Sequence, residues 1–202
     1  MSPSPRTIGI HLFDDVEELD AVGPWEVLGM WTRLWPEDGW RVTTFADEAG
    51  PVRCSKGLTI VAEHGEADRP GLDVLLYPGG QGTRSHEEDE ARLTWVRDRL
   101  AEGTLMTSVC TGSLVYAAAG ILRDRPATTH WGSIPRLSEL DASIDVREHD
   151  RFVDDGEVIT ASGVSAGIDM ALHLVARLAG NARASQVRRA MQYDPEPPVP
   201  NP

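Results

Sequence analysis

The chain has 202 residues, 41% hydrophobic and 25% charged, with 32 acidic against 19 basic side chains and a formal net charge of -13. That length suits one α/β domain, residues 1–202, with a substantial core, and the negative charge opposes binding to nucleic acid. No apolar run approaches the ~20 residues of a membrane-spanning helix.

Residues 7–13, TIGIHLF, read as a first strand. The following segment, 14–34, turns into an amphipathic helix expected to start near Gly23-Pro24, because proline is tolerated in a first turn. Asp20 is then expected in the loop or lead-in after the strand, at the carboxyl end of the sheet where α/β proteins build sites. Trp40–Phe45 reads as a second strand, and Val52–Cys54 with Leu58–Ala62 as a hairpin around Ser55-Lys56-Gly57. Asp73–Tyr77 is a third main strand ending in Pro78-Gly79-Gly80-Gln81-Gly82, and Glu88–Glu102 a charged surface helix. Leu105–Val109 is a buried strand, followed by Cys110 and a helix over Leu114–Leu122. Beyond it come a short strand in RPATTHW (125–131), a helix over Ser133–Leu140, and strands in Asp145–Glu148 and Arg151–Thr160 with a turn at Asp154-Asp155-Gly156. Helices over Ile168–Ala179 and Ala182–Met191 and an extended proline-rich tail, 194–202, complete the chain. Strands alternating with helices imply a mostly parallel sheet covered on both faces.

Cys110 is the candidate for chemistry. A thiol on a tight strand-to-helix turn faces the free N–H groups of the helix, whose positive charge favours the nucleophilic thiolate. The alternative is a small buried cysteine packed beside the strand, and the local pattern leaves both open. A nucleophilic thiolate needs an acid or base partner, and Asp20 is the candidate; a helix N-cap is its other reading. Its neighbours Glu17 and Glu18 are expected to be solvated. Gly79 and Gly80 belong either to an ordinary loop or to a backbone N–H site for developing charge. Cys54 and His130 are read as structural, and the six tryptophans as mainly core with some lining of a pocket. Gly163-Val164-Ser165-Ala166-Gly167 matches a serine nucleophile elbow, but the only later histidine, His173, lies on the same helix and points away. Asp169 and His173 are too few ligands for a metal site, and none is read. Two cysteines make no disulfide framework, and MSPSPRTIGI lacks the basic and apolar regions of a signal peptide, so a cytoplasmic location is expected.

Several stretches together resemble the ThiJ/PfpI superfamily of the type 1 glutamine-amidotransferase-like fold, in particular its isocyanide hydratase branch. They are LDAVGPWEVL (19–28), YPGGQG (77–82), SVCTGSLVYAAAGIL (108–122), ATTHW (127–131), ITASGVSAGIDMALHL (159–174) and QVRRAMQYDPEPP (186–198). The resemblance implies a flavodoxin-like sandwich, a homodimer and a cofactor-free cysteine enzyme acting on a small molecule. It makes Cys110 the nucleophile on its strand-to-helix elbow, Asp20 the acidic partner, Thr111 a helper whose hydroxyl and N–H serve the site, and Gly79 and Gly80 the backbone opposite the sulfur. Relatives acting as peptidases or glyoxalases often carry histidine directly after the cysteine, where this chain has Thr111. Ala161-Ser162 departs from the glycine-rich stretch usual there. Related transcription regulators add a helix-turn-helix module, for which these 202 residues show no pattern. The implied activity is hydration of an isocyanide to an N-substituted formamide. The alternatives are glutathione-independent action on reactive carbonyls, and a ligand-binding or redox-sensing module using the same cysteine.

Overall fold

The computed structural model describes residues 5–194. The apolar run after Pro5 forms β1 (Arg6–His11), which leads into α1 (Glu18–Leu34). β2 (Trp40–Ala46) lies parallel to β1, and the expected hairpin forms from β3 (Gly50–Arg53) and β4 (Thr59–Ala62). A two-residue β5 (His64–Gly65), which carries no pattern in the sequence, adds to the edge beside β2. β6 (Val74–Tyr77) is followed by a one-turn helix α2 (Thr83–His86), also unforeseen, and by α3 (Glu90–Ala101). The Asp89 carboxylate caps α3 by accepting the N–H groups of Ala91 and Arg92 at 3.0 and 3.3 Å.

β7 (Leu105–Val109) occupies the span the sequence predicts, and α4 (Gly112–Ala118) follows it. The expected helix to Leu122 is cut short because Gly120 adopts φ +76°, the left-handed conformation that ends helices. β8 (Pro126–Ala127) pairs in parallel with β9 (Asp145–Val146), with α5 (Ile134–Leu140) between them. β10 (Phe152–Asp154) and β11 (Val158–Ala161) form an antiparallel pair, and α6 (Ala166–Ala179) and α7 (Asn181–Ala190) complete the described fold. The tail expected to be extended falls, from 195 onward, outside the described residues.

The sheet order is β10-β11-β7-β6-β1-β2-β5, all parallel except β10. Taking its five main strands alone, β2-β1-β6-β7-β11, the order is the flavodoxin-like 2-1-3-4-5. α1, α6 and α7 pack on one another, and α4 packs with α2, α3 and α5 in a second group. β6 is buried throughout and β7 in all but its first residue, as strands covered on both faces must be. β1, β6 and β7 lie side by side, so the segments leaving their carboxyl ends converge.

One expectation is corrected here. α1 starts at Glu18, not near Gly23-Pro24, so Asp20 lies in its first turn rather than in a loop. Pro24 sits inside the helix, where it leaves the carbonyl four residues back without its usual donor. Tertiary packing outweighs that cost. Gly23 lies against Ile168, and Pro24 against Gly167, so α1 and α6 approach closely where neither glycine carries a side chain. No helix among the described residues is long and apolar enough to cross a membrane.

The turn after β7 is a tight junction. A Cβ on Gly112 would overlap the Tyr77 carbonyl oxygen and lie 2.9 Å from that of Pro78, both backbone atoms that cannot swing aside. Gly112→Ala is therefore expected to cost about 2–4 kcal/mol, visible as a clear fall in Tm by calorimetry.

Candidate active site

Cys110 sits between β7 and α4 at φ +57°, a left-handed conformation that costs a non-glycine residue on the order of 1 kcal/mol. The surroundings hold it there. Its N–H donates to the carbonyls of Ala161 and Ser162 at 3.1 Å each. Its own carbonyl accepts the hydroxyls of Thr129 at 2.9 Å and Ser113 at 3.1 Å. The turn thereby aims the side chain across the sheet end toward α1.

There it meets Asp20, which is fully buried. Asp20 Oδ2 accepts the Gly79 N–H at 2.9 Å. Oδ1 has no oxygen or nitrogen donor, and the Cys110 thiol couples to this carboxyl. Burial pushes Asp20 up to about 7, helped by the charge of Glu17 and opposed by the Gly79 N–H. Burial likewise pushes the Cys110 thiol up to about 12, with the Asp20 charge adding to the rise. The N–H groups of Thr111 and Val164 hydrogen-bond the sulfur and work the other way, as the helix-terminus argument expects, but they are outweighed. The thiolate expected from the turn alone is thus corrected. The two groups titrate as a pair that keeps one proton between the first ionisation near 7 and the second near 12. Passing that proton from sulfur to Asp20 creates a nucleophile and an acid together.

Val164 also lies in the left-handed region, at φ +49°, an outlier for a β-branched residue. Its strained turn delivers the N–H to the sulfur. The serine-elbow motif therefore does serve the site, but through Val164 and not Ser165, whose hydroxyl accepts from Arg151 at 3.4 Å. His173 is bound to Asp154 at 2.7 Å, remote in role from any serine.

Gly79 and Gly80 are glycines for steric reasons. A Cβ on Gly79 would lie 2.6 Å from Thr111 N and 2.8 Å from Asp20 Oδ2, and Gly80 has φ +128° against the Asp15–Glu17 backbone. The reading that their N–H groups face substrate is corrected, because both are occupied. Gly79 donates to Asp20, and Gly80 donates to Thr111 Oγ1 at 3.0 Å. Thr111 Oγ1 in turn lies 3.0 Å from Thr83 Oγ1.

Cys110, Thr111, Thr83, Gly80, His130 and Trp131 are among the residues lining a cavity of about 840 Å³. Glu17 and Glu18 are not solvated as expected. The hairpin tip holds both: the Lys56 ammonium pairs with Glu17, and the Lys56 N–H donates to Glu18 at 2.6 Å. Glu17 faces the cavity. His130 is structural in one respect, its Nδ1 accepting the Gly132 N–H at 3.1 Å, yet its ring also forms part of the cavity wall against Gly163. Cys54 is buried in the core. Of the tryptophans only Trp131, 79% exposed, borders the cavity, whereas Trp31 and Trp40 are core. No group of three or more His, Cys, Asp or Glu among the described residues is arranged to hold a metal ion.

Residues 6–177 match the DJ-1/PfpI family. Isonitrile hydratase of Pseudomonas putida is 40% identical over 191 residues, which are 95% of this chain and 80% of that protein. The HTH-type transcriptional regulator GbdR of Pseudomonas aeruginosa is 27% identical over 191 residues, covering 95% of this chain but 52% of the regulator. Among solved structures, a ThiJ/PfpI family protein from Pseudomonas syringae superposes with a TM-score of 0.85 at 32% identity, covering 96% of this chain and 78% of that one. Drosophila melanogaster DJ-1beta gives 0.81 at 22% identity, covering 94% and 99%, a likeness of fold alone.

The buried carboxyl has a thermodynamic consequence. Asp20 ionises less readily folded than unfolded, so its ionisation withdraws stability as pH rises from the usual carboxyl range to about 7, and the loss is complete above that. Asp20→Asn is expected to raise Tm relative to wild type at pH 8 and by less at pH 5, measured by thermal melts in matched buffers. In the same protein, alkylation of Cys110 by iodoacetamide should lose the rise through pH 7 that wild type shows.

Proposed function

The chain belongs to the DJ-1/PfpI family, and from that premise we propose that it hydrates isocyanides to N-substituted formamides. The observation that carries the reading is the fully buried Asp20 carboxyl hydrogen-bonded to the Cys110 thiol beside the cavity. The 40% identity to an isonitrile hydratase supports it. An isocyanide carbon accepts a soft nucleophile if the same carbon receives a proton, and this dyad supplies both. The Cys110 thiolate forms a C–S bond while Asp20 gives its proton to that carbon, leaving a thioimidate and an Asp20 carboxylate. Water, positioned by Asp20 and Thr111, adds to the carbon, its proton passing through Asp20 to the nitrogen. The carbonyl then forms as the hydroxyl proton returns to Asp20 and the C–S bond breaks. The product is R–NH–CHO, and the dyad ends with the proton it began with. The scheme calls on no cofactor. Cys110, Asp20 and Thr111 are the catalytic residues; Gly79 and Gly80 hold the last two in place.

Formamide production from a simple alkyl or aryl isocyanide tests this, followed by infrared loss of the isocyanide band. Cys110→Ala should lower kcat by roughly three orders of magnitude or more, and Asp20→Asn by roughly 10²–10⁴-fold, with both proteins folded. Full activity in Cys110→Ala would sink the scheme.

The same reading includes a homodimer. Leu19, Val22, Leu58 and Val61 are 37%, 39%, 51% and 65% exposed, on α1 and the β3–β4 hairpin. Val22 and Val61 line an apolar groove together with Trp25 and Ile60. Exposed apolar side chains beside such a groove suit a second copy of the chain. Light scattering is expected to give the mass of a dimer, reduced to that of a monomer by Val61→Asp; a monomeric wild type at micromolar concentration would refute the arrangement.

A further inference from the structure

Thr83 carries no motif and does not touch the sulfur, yet it is 1% exposed, lines the cavity and points its hydroxyl at Thr111. Four groups meet there. Gly80 N–H donates to Thr111 Oγ1 at 3.0 Å; Thr83 Oγ1 lies 2.8 Å from the Gly80 carbonyl oxygen and 3.0 Å from Thr111 Oγ1; Thr111 Oγ1 is 3.3 Å from that same carbonyl. Between the two hydroxyls there are two protons to place.

Each hydroxyl has one proton and two lone pairs, which leaves two main arrangements. If Thr83 donates to the Gly80 carbonyl, Thr111 donates to Thr83. Thr111 then accepts from Gly80 N–H and keeps one lone pair for the cavity. If Thr83 donates to Thr111 instead, both Thr111 lone pairs are filled and its proton is the part left for the cavity or the longer contact to Gly80. The shorter 2.8 Å bond favours the first arrangement. Resting on the hydration reading above, we propose that Thr83 is a positioning residue that sets the direction of the Thr111 hydroxyl, so that Thr111 presents a lone pair to the water attacking the Cys110-bound intermediate.

An attacking water must have one O–H held by an acceptor for its own lone pair to face the carbon. Thr111 is held as that acceptor while Thr83, at 3.0 Å, takes its proton, the contact to the Gly80 carbonyl being longer at 3.3 Å. The Thr83 N–H also donates to the Gly80 carbonyl at 3.3 Å, so that carbonyl keeps a partner when the hydroxyl is removed. Loss of the hydroxyl thus frees Thr111 to rotate without stripping the loop.

The test compares Thr83→Val with Thr83→Ser, with Thr83→Ala replacing valine should that variant not fold. Two reactions are followed. The first is isocyanide turnover. The second is hydrolysis of acetyl-Cys110 formed from p-nitrophenyl acetate, in which water attacks the thioester carbon, the C–S bond breaks and acetate leaves. Removing the hydroxyl should lower kcat about tenfold, the scale of one hydrogen bond, with KM within about twofold. It should slow acetyl-enzyme hydrolysis to the same degree and leave the acylation burst unchanged. Thr83→Ser should restore both rates to within about twofold of wild type. An unchanged rate in Thr83→Val, or equal losses in the serine and valine variants, overturns the proposal, the second outcome marking a purely steric role. If wild type turns over no isocyanide but acetyl-enzyme hydrolysis still follows the Thr83 hydroxyl, the role of Thr83 stands and the hydration reading falls. If wild-type Cys110 reacts with neither reagent, both fall.

Discussion

A carboxyl and a thiol buried against each other, with one proton between them, set the terms for everything around this site. Neither group is comfortable as an anion in that position, and the pair resolves the conflict by carrying a single negative charge. The backbone around it is arranged to keep that balance. Gly79 N–H holds one carboxylate oxygen, the N–H groups of Thr111 and Val164 hold the sulfur, and no oxygen or nitrogen donor is spent on the second carboxylate oxygen. Two non-glycine residues, Cys110 and Val164, stand in the left-handed region to make those contacts. Backbone strain of this sort persists only where neighbours over-determine it, and the four bonds to Cys110 N–H and C=O do so.

Much of this was legible in the chain. The β-branched run Leu105–Val109 followed by Thr111-Gly112-Ser113 marks the turn without ambiguity, because a strand pattern ends and a helix pattern begins across one residue. The pattern left Gly79 and Gly80 open between an ordinary loop and an N–H site, and Asp20 between an N-cap and a partner of Cys110; the structure spends the two N–H groups on Asp20 and Thr111. Asp20 was misplaced because Pro24 reads as a first-turn proline, whereas it lies in the helix interior against Gly167. That contact joins residues more than a hundred positions apart and leaves no local trace.

The electrostatics were less legible still. A helix terminus raises an expectation of thiolate from sequence neighbours, but burial is a property of the whole fold, and here it outweighs the terminus. Thr83 and Val164 were missed for a related reason. Thr83 belongs to a single-turn helix too short to give a periodic pattern, and the part of Val164 that matters is its N–H, which every residue but proline possesses. Glu17 and Glu18 looked solvated because their partner, the hairpin tip at Ser55-Lys56, lies far along the chain.

The segments that carry the buried thiol–carboxyl pair and those that wall the cavity come from different places. Cys110 and Gly79 lie just beyond the adjacent strands β7 and β6, and Asp20 in the first turn of α1 is tied to them through the Gly79 N–H. Much of the rest of the cavity wall is made by the β3–β4 hairpin, α2 and the residues around Trp131, which hang from the sheet's edge and surface. Such a division lets the enclosure be remodelled by drift in the connecting segments while the buried thiol–carboxyl pair stays registered to the strands. A single scaffold can in this way change what its cavity admits, or retain the enclosure after the buried pair is lost, with few changes at its centre.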